Sequence, residues 1–96
     1  MKKEDLEEFL ERNASENMDD TELASFIELS LIDDKEKAEF KKRRISVAGC
    51  FTGKWEATVS NERYLDKCFK RWNALIASEC ARFNLTPPER PIFSGY

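Results

Sequence analysis

Three cysteines, one run of four cations and two pairs of neighbouring aspartates are the residues of this chain that could do chemistry. A cysteine nucleophile needs a base, and the usual base is histidine, which this chain lacks. Without histidine or a Cys-x-x-Cys spacing, the usual zinc sites are excluded as well. We interpret Cys50, Cys68 and Cys80 as reduced, mostly buried thiols. The sequence therefore predicts no enzyme, no cofactor and no metal ion.

The two carboxylate pairs have a structural explanation. Asp19 and Asp20 precede one helical pattern, and Asp33 and Asp34 precede another. Negative charge is favourable where helices begin, because the backbone N–H groups there are unpaired. We therefore predict helix caps at these positions, not an acid–base pair.

The charges of the chain are divided unevenly along its length. The first 34 residues, the acidic half, carry three cations against twelve carboxylates, a net charge of −9. Residues 35–96, the basic half, carry thirteen cations against seven carboxylates, a net charge of +6. The two halves should attract each other, or else each should present an exposed charged face to a partner of opposite charge.

Residues 41–44 read KKRR and are the candidate site for nucleic acid. Cations here could contact phosphates, and the stretch that follows could enter a groove as a wing. The alternative is a solvated helix end whose cations complement the helix dipole. The candidate nucleic-acid contacts are Lys41, Lys42, Arg43, Arg44 and Lys54.

The elements that would position these residues follow from apolar periodicity and start signals. We predict an acidic helix over 1–14, a helical segment over 19–44, a β-hairpin over 45–60, a long helix over 61–84 and a proline-rich tail over 85–96. Asp19 and Glu22 form a capping-box pattern at the start of the second segment. Whether 20–43 is one helix or two stays open, because Asp33 could cap a separate helix.

The hairpin prediction depends on alternation and on register. Val47 and Phe51 are an even number of positions apart, and so are Trp55 and Val59. In a strand, the two residues of each pair would therefore lie on the same face. A three-residue loop around Gly53 puts all four on one face, with the glycine at positive φ. We expect this face to pack on the long helix.

The long helix and the tail complete the prediction. Ser60 or Asn61 should cap the helix, and Asn84 should end it in a left-handed conformation. In the tail, Phe93 and Tyr96 either fold back beside the core or form an extended strip for a partner.

The predicted fold is therefore a single α+β domain over residues 1–96, with a docked tail. No apolar run approaches the length of a membrane span, and the charged first residues do not resemble a secretory signal, so we expect a cytoplasmic protein and no membrane partner.

For function we expect a small non-catalytic module that binds and modulates, for example inhibits, a larger host or cognate protein. Accessory proteins of phages and mobile elements offer an analogy of size, not a family match. The alternative is a nucleic-acid-binding domain of winged-helix type. The predicted partner contacts are Glu4, Glu7, Glu8, Glu11, Lys42, Arg43, Arg44, Phe93 and Tyr96.

Overall fold

The computed structural model describes residues 1–15 and 18–93. Over these residues the chain forms five helices and no strand, so the α+β prediction is wrong. Without a hairpin, the described residues also lack the wing that the winged-helix alternative requires. The helices are α1 (Lys3–Ala14), α2 (Asp20–Ser30), α3 (Asp34–Lys42), α4 (Gly49–Thr52) and α5 (Val59–Arg82).

Aspartate caps start both α2 and α3, as the sequence predicts. The side chain of Asp19 accepts a hydrogen bond from the backbone N–H of Glu22 at 2.9 Å. The side chain of Asp33 accepts one from Glu36 at 2.8 Å. Because Asp33 begins a new helix, residues 20–43 form two helices and not one.

The segment predicted as a hairpin is instead a loop that contains the single turn of α4. Its buried residues Val47 and Cys50 are three apart, and the half-buried Phe51 follows, which is helical spacing. Gly53 does adopt the expected positive φ, 73°, but it ends a helix there and does not turn a hairpin. Val59, predicted to share the buried face, is 64% exposed.

Gly49 permits the tight folding of this loop. A Cβ at this position would lie 2.6 Å from Ser46 Oγ and 3.2 Å from the carbonyl oxygen of Lys54. The same Ser46 hydroxyl oxygen accepts a hydrogen bond from the N–H of Gly49 at 2.9 Å. The glycine therefore lets the backbone approach closely here, and a larger residue would force Ser46 and the Lys54 carbonyl to shift.

The long helix α5 starts two residues earlier than predicted. Thr58 caps it by accepting a hydrogen bond from the N–H of Asn61 at 3.1 Å, so neither Ser60 nor Asn61 is the cap. Asn61 is buried and uses its side chain otherwise: its Nδ2 donates to the carbonyl of Glu56 at 2.9 Å. This contact ties the incoming loop to the first turn of the helix.

Both α3 and α5 end in a left-handed residue followed by a returning N–H. Asn84 has φ 57°, and the next N–H, of Leu85, donates to Cys80 at 2.8 Å, as predicted. At the end of α3, Arg44 has φ 58° and the N–H of Ile45 donates to Phe40 at 2.9 Å. An arginine in this conformation is unusual, because the left-handed region favours glycine.

The core is built around Trp72 of α5, which is fully buried. Its ring lies 5.7 Å from Phe69, 5.8 Å from Phe93 and 6.1 Å from Phe40, measured between centroids. These rings come from α3, from α5 and from the tail. One aromatic cluster therefore joins helices that are distant in sequence.

Of the two alternatives for the tail, the structure shows the docked one for Phe93, which is 1% exposed. Asn73 of α5 fastens it with two hydrogen bonds. Its Nδ2 donates to the carbonyl oxygen of Phe93 at 2.8 Å, and its Oδ1 accepts from the N–H of Phe93 at 3.0 Å. Tyr96 lies outside the described residues.

Candidate partner-binding surfaces

The opposite charges of the two halves do not pair with each other in the described residues. Each of the six ion pairs found there joins two side chains of the same half. Among the described residues, the charge of each half is therefore left for solvent or for a partner and is not neutralised by the other half. The pairs are Lys3–Glu7, Arg12–Glu22, Glu39–Arg43, Asp66–Lys70, Glu36–Arg71 and Glu79–Arg82.

The predicted acidic contacts lie together on the outer face of α1. Leu6 and Phe9 occupy the opposite face and are buried, at 0% and 3% exposure. This arrangement orients the carboxylate face outward, because residues three and four apart share one side of a helix. The four exposed carboxylates are Glu4, Glu7, Glu8 and Glu11.

A groove of about 380 Å³, here called the acidic groove, runs between α1 and α2. Phe9 and Phe26 stack in it with ring centroids 3.8 Å apart. Leu29, at its edge, is 86% exposed, the largest exposure among the large hydrophobic side chains described. Its lining combines apolar side chains with carboxylates: Asp5, Glu8, Phe9, Arg12, Met18, Glu22, Phe26, Leu29 and Ser30.

Arg12 links the two walls of the acidic groove. Its Nε donates to Glu22 Oε2 at 2.9 Å, and its Nη2 contacts the same oxygen, so the guanidinium spans from α1 to α2. Glu22 is therefore neutralised within the chain. Asp5 and Glu8 have no ion-pair partner among the described residues, and they carry the charge of the groove.

The structure separates the four cations of the KKRR stretch. Arg43 turns inward: its Nε donates to Glu39 at 2.8 Å and its Nη1 to Ser60 Oγ at 2.9 Å. Its guanidinium also lies 4.5 Å from the ring centroid of Tyr64. Arg43 therefore connects α3 to α5 and has a structural role. Lys42 is exposed.

Lys41 and Arg44 belong to a second concave surface, here called the cationic groove, of about 550 Å³. Lys37, one turn before Lys41, joins them there. Lys54, the other predicted phosphate contact, is exposed but lies outside this lining. The groove is lined by Glu28, Lys37, Phe40, Lys41, Arg44, Ile45, Ser46 and Val47.

The three cysteines are buried free thiols. Burial raises the pKa of Cys50 to about 12 and that of Cys68 to about 11, from an ordinary 9.0. The thiol of Cys50 donates to the carbonyl of Val47 at 2.8 Å, and that of Cys68 lies 3.4 Å from Glu36 Oε1. A thiolate is disfavoured at both positions, so these side chains are unsuited to nucleophilic chemistry.

We expect iodoacetamide to leave the folded protein unmodified at pH 8 and to alkylate all three cysteines once urea is added. A pKa raised by two units lowers the thiolate fraction about 100-fold, and burial blocks access in addition.

The same shifts predict that stability is intact below pH 9 and falls as pH rises, since only the unfolded chain releases its thiol protons there. Intact mass spectrometry checks the alkylation, and denaturation at increasing pH checks the loss of stability. Rapid alkylation of the folded protein would contradict the buried placement of the thiols.

Part of the acidic groove was missed by sequence reasoning. Asp5, Met18 and Phe26 were not among the predicted contacts. Leu29 carried a usable signal, because it widens the apolar stripe of α2 beyond one core-facing side. A single exposed leucine is common on protein surfaces; this one is informative because it lies in the same groove as the half-buried ring of Phe26.

Among the residues that the structure describes, no helix has both the length and the apolar character needed to cross a bilayer. No protein-family model, no curated protein and no solved structure matches this chain.

Proposed function

We propose that this protein is a small non-catalytic module that binds a larger protein through the acidic groove and modulates its activity. The observation that carries the proposal is the composition of that groove. Stacked aromatic rings line it, Leu29 is 86% exposed in it, and Asp5 and Glu8 have no ion-pair partner within residues 1–15 and 18–93. An apolar centre with a charged rim is the usual anatomy of a protein-binding surface.

The chemistry of the groove supports a basic amphipathic helix as its partner. Apolar side chains of such a helix, three and four residues apart, would cover Leu29 and Phe26. Its lysines or arginines would meet Asp5 and Glu8, which accelerates encounter and fixes orientation more than it adds affinity. Removal of apolar surface from water would supply most of the binding free energy.

The absence of histidine and the suppressed thiolates support a binding role over a catalytic one. A cytoplasmic setting and an inhibitory effect on a host factor, by analogy with phage accessory proteins, are parts of this proposal that depend on the partner. Partner identification is therefore the experiment that tests the function.

The test is affinity capture from nuclease-treated lysate with three forms of the protein. The wild type should retain a specific partner, and the double variant Asp5→Lys/Glu8→Lys should lose it. Leu29→Asp should lose it too, because a carboxylate replaces the exposed apolar anchor. The control Glu62→Lys/Asp66→Lys makes the same charge change on α5 and should retain the partner. Equal capture by the wild type and both groove variants would remove this groove from the function.

A further inference from the structure

The cationic groove is a second charged surface that the proposed function does not use. Lys37 and Lys41 are one helical turn apart, and Arg44 follows just past the end of α3. No ion pair occupies any of the three in the described residues. Arg44 is moreover held at φ 58°, so an arginine stands where the backbone favours glycine.

The lining of this groove favours protein over nucleic acid as its occupant. Glu28 brings a carboxylate into the same groove, and the floor formed by Phe40, Ile45 and Val47 is apolar. Phe40 is 2% exposed and so gives no platform for stacking a base. The chain as a whole carries a net charge of −3, which repels polyphosphate at long range.

A complementary surface with the same spacing occurs in this chain. Glu4, Glu8 and Glu11 on α1 follow the spacing i, i+4, i+7, and Lys37, Lys41 and Arg44 follow the same spacing. The three carboxylates lie within an arc of about 60° and extend over about 10 Å of helix. They are exposed and have no ion-pair partner among the described residues. Two surfaces of opposite charge, each without ion pairs among the described residues, are thus present on one molecule; their equal spacing is one of sequence, because Arg44 lies beyond the end of α3.

We propose that the cationic groove binds the α1 carboxylates of a second copy of this chain. Opposite charges placed directly across an interface select partner and orientation. Each copy carries −3, so the association is opposed at long range and depends on this local pairing. The contact is accordingly sensitive to salt, because the screening length falls from about 30 Å at about 0.01 M to about 8 Å at about 0.15 M salt.

Sedimentation velocity at high protein concentration, compared at these two salt concentrations, tests the proposal. The wild type should associate at low salt, and its apparent dissociation constant should rise at least about tenfold at the higher salt. Lys37→Glu/Lys41→Glu should be monomeric, and so should Glu4→Lys/Glu11→Lys. A mixture of the two variants should associate, because each supplies the charge that the other now lacks.

The control Arg63→Glu/Lys67→Glu makes the same charge change on α5, at exposed positions four residues apart, and should associate more tightly than Lys37→Glu/Lys41→Glu, which has the same net charge. A monomeric wild type at low salt, an equal loss in the control, or a mixture that stays monomeric would overturn the proposal. So would retention of random-sequence duplex DNA that disappears in Lys37→Glu/Lys41→Glu. Glu8 belongs to both surfaces, but these variants leave Asp5, Glu8 and Leu29 unchanged, so a failure of self-association would not by itself remove the acidic groove from the proposed function.

Discussion

Replacing Trp72 with alanine should lower the free energy of unfolding by about 3–5 kcal/mol, the usual cost of deleting a large buried aromatic. The indole is fully buried and contacts rings from α3, α5 and the tail, so its loss opens a cavity that no single neighbour can fill. The total free energy of unfolding of such a domain is roughly 5–15 kcal/mol. The variant should therefore unfold at much lower urea concentration, measured by circular dichroism.

Two further substitutions on the same helix separate packing from hydrogen bonding. The indole Nε1 of Trp72 is buried and has no hydrogen-bond partner among residues 1–15 and 18–93. Trp72→Phe should therefore cost much less than Trp72→Ala, because it keeps most of the ring and removes an unsatisfied donor. Leu75→Ala, 38% exposed and nearly one turn away, should cost less than about 1.5 kcal/mol. Similar losses for Trp72→Ala and Leu75→Ala would show that the core is not centred on the indole.

Replacing Phe93 with alanine should cost about 3 kcal/mol and detach the tail from α5. The ring is 1% exposed, and it lies 5.8 Å from Trp72 and 6.1 Å from Phe9. The cost is limited, because a released tail can satisfy its backbone groups with water. Release also uncovers Trp72, so tryptophan fluorescence should shift to longer wavelength and become more accessible to acrylamide.

The two hydrogen bonds between Asn73 and the backbone of Phe93 give an independent test of tail docking. Asn73→Ala removes both bonds to the backbone of Phe93 and should cost about 1–3 kcal/mol, with the same fluorescence change. Arg90→Ala changes an exposed tail residue and should leave stability within about 0.5 kcal/mol. Unchanged quenching in both Phe93→Ala and Asn73→Ala would contradict the docked tail.

Local signals of the sequence located most of the helices. The aspartates at 19 and 33 begin α2 and α3, and Asn84 follows the end of α5, because each satisfies backbone groups within a few residues of itself. Such interactions depend on near neighbours and can be read without knowledge of the fold. The periodicity of α5 was equally clear, since its apolar stripe continues for more than twenty residues.

The hairpin was predicted wrongly because a hairpin and a short helical turn have the same local sequence features. A glycine at positive φ ends a helix as readily as it turns a hairpin, and Gly53 does the former. Val47, Cys50 and Phe51 were already at helical spacing, but β-branched residues and a short segment favoured strands. The predicted packing of Phe51 on the long helix does occur, with its ring 5.9 Å from Phe69, but the residue lies in a helical turn and not in a strand.

The candidate surfaces were predictable in charge but not in shape. Composition alone identified an acidic half and a basic half. That Arg43 turns inward while Lys41 and Arg44 share a groove depends on how α3 meets α5, which is a tertiary property. The acidic groove likewise exists only because α1 packs beside α2.

The measurement that tests the central claim most directly is a titration of ¹⁵N-labelled protein with a synthetic amphipathic helix of leucine and lysine. We predict that the largest amide shifts cluster along the acidic groove, around Asp5, Glu8 and Leu29, and that Asp5→Lys/Glu8→Lys abolishes them. Shifts centred on the cationic groove, or the same shifts in the double variant, would contradict the assignment of the acidic groove as the partner-binding site.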